Sequence, residues 1–155
     1  MKRLFLIPVA ALIAIGFLPG TGSAQLAYTL SLNTQTVTVP VPTATEYNNG
    51  FSAATQSITY TVSALNLLSS KTVTVKIKSI STSLGGGKAI ADLQWQRSGT
   101  STWTSLATTD ATTQTGTLSL ASSSFTGTLF FRVILRWETD PPASYSATIN
   151  ISITV

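Results

Sequence analysis

At the close of the chain Tyr145, Ala147, Ile149, Ile151, Ile153 and Val155 occupy every second position, with only Ser, Thr and Asn between them. A helix would need apolar residues three and four apart, whereas alternation at period two sends one face of an extended strand to a core and the other to water. The pattern recurs along the chain. Ile58, Tyr60, Val62 and Ala64 form one stripe, and Val73, Val75 and Ile77 another, with Lys76 and Lys78 on its wet side. Leu129, Phe131, Val133, Leu135 and Trp137 form a third, and Trp137 is expected to pack with the rest. Eight or nine short strands follow, with turn signals between them and no helical stretch after the first two dozen residues. An all-β, two-layer antiparallel β-sandwich is the expected fold.

The finer pattern sets expectations for individual strands. Leu26, Tyr28, Leu30 and Leu32 are apolar at even positions, but Val37, Val39 and Val41 are apolar at odd ones. One flat strand cannot bury both sets against the same core, so the chain is expected to bend between them and pass from one sheet to the other. Pro40 suits an edge, where its missing N–H does no harm. Asn49 and Gly50, in EYNNG, suit a tight reversal. Residues 91–97 and 102–107, joined by Ser-Gly-Thr-Ser, read as a hairpin, and a shorter strand is expected around residues 117–120. Phe130 and Ile134 make the second face of their strand apolar too, which predicts a central strand covered on both sides.

The start of the chain has a different character. Lys2 and Arg3 precede an unbroken apolar run over residues 4–18, then LPGTG and Ser23-Ala24. This is the layout of a secretory signal peptide, with Gly22 and Ala24 as the small residues of a cleavage site after Ala24. The expected domains are a removed leader, 1–24, and one β-sandwich, 25–155. LPGTG has the letters of a sortase anchoring tag, but such a tag precedes an apolar span and a basic tail, and it would leave with the leader. The mature chain keeps seven basic and five acidic residues, a net charge of +2. That balance points to neither nucleic acid nor an anionic membrane as partner. No later apolar run approaches the ~18 residues needed to span a bilayer. The expected location is secreted: extracellular, at the cell surface, or periplasmic. Ser and Thr make up about a third of the mature chain. Their alternation with aliphatic residues argues for wet strand faces over a mucin-like stalk.

With no His and no Cys, the Ser-His-Asp triad, the Cys nucleophile and the usual zinc ligand sets are unavailable. Glu138 and Asp140 are near neighbours beside Pro141 and Pro142, a spacing that invites an acid and base pair or part of a calcium site; a solvated loop is the plainer account. The glycine run before Lys88 invites a phosphate loop. It lacks the leading glycine, Ala89 stands where a magnesium-binding Ser or Thr belongs, and no helix follows, so a flexible reversal is expected. The chain is therefore expected to be no enzyme and to need no metal or other cofactor.

The closing strand resembles that of bacterial secreted immunoglobulin-like and pilin-like domains, with Tyr145 followed by Thr alternating with aliphatic residues. The resemblance implies an immunoglobulin-like sandwich and a structural or adhesive task at the cell surface. Partners would be other copies of the chain or other surface proteins. Filament subunits of this type lend an N-terminal strand to a neighbour, which marks Leu26, Tyr28, Leu30 and Leu32 as a strand-exchange segment. They often carry a disulfide, which this chain lacks, and the same segment would serve equally as the first strand of its own sandwich. A carbohydrate-binding module is the rival reading, with polysaccharide as partner. Trp95 and Trp103 on the two arms of the hairpin, beside Gln94, Gln96 and Arg97, offer the aromatic faces and polar donors that sugars need. Against this, Trp95 shares its parity with Leu93, which predicts that it plugs the core while Trp103 covers an edge.

Overall fold

A computed structural model describes residues 26–65 and 67–155. The leader, its LPGTG and the cleavage site after Ala24 lie outside the described residues. Among these residues nine strands build two antiparallel sheets. The first contains β1 (Ala27–Leu32), β3 (Gln56–Leu65), β8 (Ser124–Val133), β5 (Leu93–Arg97) and β6 (Thr104–Ser105), in the spatial order β1-β3-β8-β5-β6. The second contains β2 (Thr36–Val39), β9 (Tyr145–Thr154), β4 (Lys71–Ser79) and β7 (Ala111–Leu118), in the order β2-β9-β4-β7.

The alternating stripes become the core between the sheets. Ile58, Tyr60, Val62, Leu129, Phe131 and Val133 face Val73, Val75, Ile77, Tyr145, Ile149 and Ile151, all almost wholly removed from water. Each such side chain contributes about 1.5–3 kcal/mol by burial, so the period-two pattern sets which face each strand turns inward. Val37 and Val39 join the same core from β2. The change of phase between the first two apolar runs is a change of sheet: β1 pairs with β3, and after Asn33 the chain crosses to pair with β9.

Four local expectations need correction. EYNNG belongs to a short helix, α1 (Ala44–Asn49). Thr43 Oγ1 accepts from the Glu46 N–H, while the Glu46 carboxylate accepts from the Thr43 N–H at 2.8 Å, a reciprocal cap that satisfies two orphan donors. Gly50 does reverse the chain, at φ 79°, as the left-handed residue that ends this helix. The strand expected at 117–120 starts earlier and stops at Leu118; Leu120 stands 78 % exposed in the turn beyond it. β8 is central, but its second face is only partly covered: Phe130 and Ile134 are half-buried, with Phe51 bridged to Ile134. Finally, β8 ends at Val133, so Trp137 does not continue its stripe. It lies 59 % exposed in a turn, with its ring stacked 4.7 Å from that of Tyr47 and its Nε1 donating to Asn48 Oδ1.

Candidate functional site

The hairpin of β5 and β6 forms as expected, with Gln94 opposite Ser105 and Trp95 opposite Thr104. Alternation along β5 then separates the five residues singled out for sugar binding. Trp95 turns inward, 7 % exposed, and its Nε1 is buried without a hydrogen-bond partner. Gln94 and Gln96 turn to the outer face of the five-stranded sheet, opposite Arg132 and Phe130 of β8. Trp103 joins them. Arg97 shares the parity of Trp95 and lies at the end of β5, where it lines a different recess.

Arg132 is the centre of the outer-face cluster, and the sequence reading passed over it. Its guanidinium carbon lies 4.3 Å from the centroid of the Trp103 ring and 4.6 Å from that of Phe51, so the planar cation is held between two aromatic faces. Its Nε donates to Gln94 Oε1 at 2.8 Å, and burial pulls its pKa below the ordinary arginine value, leaving it cationic all the same. Gln96 is fixed by donation from Nε2 to the Thr100 carbonyl at 2.7 Å. Beyond the cluster the face is paved with hydroxyls: Thr59 and Thr128 touch through their Oγ1 atoms at 3.2 Å, and Thr61 sits opposite Thr126 and Ser63 opposite Ser124. The available signal for Arg132 was its place between Phe130 and Ile134, residues already noted as apolar on an otherwise wet face.

The second constellation is electrostatic and lies around the glycine run. Gly85, Gly86 and Gly87 all have positive φ, and Leu84 and Lys88 close the loop by a backbone bond of 3.0 Å. The lysine of the supposed phosphate loop is turned inward, with its side chain 1 % exposed. Its Nζ contacts Asp140 at 2.6 Å and Asp92 at 3.1 Å, so its charge is matched from inside the protein. Arg136 completes the network with two hydrogen bonds to Asp92, at 3.0 and 3.1 Å, while its backbone N–H donates to Asp140. Burial pushes the Asp92 carboxyl up, but the hydrogen bonds and charges of Arg136 and Lys88 together outweigh it and hold the group below its ordinary value. Glu138 is exposed and takes no part, so it does not pair with Asp140 as an acid and base would. Among the described residues no three His, Cys, Asp or Glu side chains converge on a point that would hold a metal ion. The network is a fastening between loops.

The proposed strand-exchange segment is β1, paired residue for residue with β3 from Ala27 opposite Leu65 to Leu32 opposite Tyr60. Leu26, Tyr28, Leu30 and Leu32 pack against the core but remain half-buried, and the Tyr28 hydroxyl is buried with no hydrogen-bond partner. No helix among the described residues is long and apolar enough to cross a membrane. Comparison with protein-family models, with curated proteins and with solved structures finds no match to this chain.

Proposed function

We propose that the chain acts outside the cell as a non-enzymatic adhesive protein, holding polysaccharide on the outer face of its five-stranded sheet. The observation that carries this reading is Arg132 clamped between Phe51 and Trp103 with Gln94 locked to it. An aromatic and guanidinium cluster beside fixed amides and a pavement of hydroxyls provides both stacking surface and hydrogen-bond donors already in position. Polar side chains held by one another lose little freedom when a flat, hydroxyl-rich ligand arrives. The test is retention on insoluble polysaccharides. Trp103→Ala and Gln94→Ala should each lose retention while keeping the melting temperature within a few degrees of the parent; retention unchanged in both variants would reject the reading.

A second reading, a filament subunit that lends β1 to a neighbour, is favoured by the half-covered leucines of that strand and the unpartnered Tyr28 hydroxyl. A chain that exchanges β1 forms filaments visible by electron microscopy, and a version lacking residues 25–33 takes up the peptide QLAYTLSLN. A chain that keeps β1 is a monomer, and the truncation lowers its melting temperature without peptide uptake.

A further inference from the structure

Beyond the end of β5 lies a pocket of about 300 Å³ lined by Arg97, Ser98, Gln114, Thr126, Gly127 and Thr128. Ser98 donates from its backbone to the Thr128 carbonyl as the last contact of β5 with β8, and Gly99, at φ 82°, turns the chain away. Thr126 and Gly127 are thereby left on a length of β8 edge that β5 no longer covers. Gln114 reaches in from β7 of the other sheet; its Oε1 accepts from the Tyr60 hydroxyl at 2.7 Å, which leaves its NH₂ group to donate into the recess. Gly127 lets the Tyr60 ring pack directly on the β8 backbone, because a Cβ there would lie 2.3 Å from the Tyr60 ring and hydroxyl, and so places the hydroxyl that holds Gln114.

The charge of the pocket is unbalanced. Lys78, Lys88 and Arg136 are each paired with a carboxylate, and Arg132 is stacked against rings; among the described residues Arg97, Lys71 and Lys76 have no carboxylate within ion-pair distance, and of these Arg97 lines the pocket. We propose that this pocket binds a sugar acid, with the carboxylate on the Arg97 guanidinium and the ring hydroxyls on the Gln114 amide and the uncovered backbone edge at Thr126. The guanidinium fork matches a carboxylate in two parallel hydrogen bonds, and the amide and the backbone edge supply partners for a polyhydroxylated ring. The volume stands at the small end of ligand sites and fits a single ring. The site borders the hydroxyl-paved face at Thr126 and Thr128 but uses none of Arg132, Trp103 or Gln94, so it stands whether or not that cluster holds polysaccharide.

The test is titration of the protein with galacturonate and glucuronate oligomers, against the corresponding neutral galactose and glucose oligomers, followed by calorimetry and by amide shifts in NMR. Binding of at least one acidic oligomer is expected, with shifts at Gln114 and Gly127 and weakening as salt is raised. Arg97→Gln should reduce affinity at least about tenfold, the loss expected for one charge-assisted contact. Arg97→Lys should retain part of it, and Trp103→Ala should leave it unchanged. Equal affinity for neutral oligomers, unchanged affinity in Arg97→Gln with its fold intact, or no binding of either uronate series at millimolar concentration would overturn the proposal.

Discussion

Lys88 Nζ lies 2.6 Å from a carboxylate oxygen of Asp140, a residue 52 positions further along the chain, with both side chains almost sealed from water. The contact fastens the glycine-rich loop after β4 to the loop that leads into β9. Two hydroxyls complete the joint from the same side, since Tyr47 and Tyr145 both donate to the Pro141 carbonyl. In a low-dielectric setting such a pair is costly to break from one end, because the remaining charge has neither water nor partner.

Lys88→Met should therefore destabilise the protein by about 3–5 kcal/mol, as removal of one member of a buried pair does. Lys88→Met/Asp140→Asn, which leaves no unpaired charge, should recover part of that loss. Urea unfolding of the two variants measures the difference; equal stability of the double and single variants would show that the charge itself is not what matters.

The pH profile follows from two carboxylates held below their ordinary values. Glu46 accepts backbone hydrogen bonds from Ala53 and Thr43, and Asp92 is held by Arg136 and Lys88 against the opposing effect of burial. Both have depressed folded-state pKa values, so their contribution is fully present above the unfolded values of about 4 and is lost as pH falls through the lower folded ones. The chain has no histidine. The melting temperature should stay level from about pH 5 to 8 and fall only below about 4. A drop that begins above pH 5 in a thermal scan would contradict this assignment.

The tryptophans should separate by burial. Trp95→Ala removes a ring from the core and should cost about 3–5 kcal/mol. Trp137→Ala removes an exposed ring stacked on Tyr47 and should cost about 1 kcal/mol. Denaturant midpoints measured side by side decide between this order and the alternative, in which both rings are core.

Gly127→Ala should destabilise by about 1–3 kcal/mol, because the added methyl group must displace the Tyr60 ring. Gly85→Ala meets no atom within 4 Å, but its φ of 88° carries a backbone penalty of its own. Equal melting temperatures for Gly127→Ala and the parent would show that the Tyr60 ring moves aside freely.

The two-sheet fold was legible because burial acts on one side chain at a time, and the parity of Ile58, Val75 or Ile149 is enough to orient its strand. The slip of phase between Leu32 and Val37 even announced the crossing between sheets. Local hydrogen bonding was less visible. The helix at Ala44–Asn49 rests on Thr43 and Glu46 capping each other, a signal three residues apart that a search for alternation does not weigh. Trp137 was misjudged because its parity continues that of Leu135 while the strand has already ended at Val133. The charge network around Lys88 joins residues from positions 88, 92, 136 and 140, and only the folded topology brings those loops together. Arg132 had a local clue in its apolar flanks, yet its rings come from Phe51 and Trp103, which no spacing rule links to it.

The crossing at Asn33 has a consequence for how the molecule meets its own copies. β1 and β2 run down one side of the sandwich, the first covering the edge of β3 and the second the edge of β9. Among the described residues the open backbone of this flank is then the outer edge of β1, six residues, and of β2, four, together with 56–58 on β3 and 150–154 on β9. Cross-β stacking draws on uninterrupted segments of about six or seven residues. Among the described residues β1, at six, is the stretch of this flank that reaches that length, so strands of ten residues rich in Thr, Val and Ile are reduced here to one short edge that a second copy could extend.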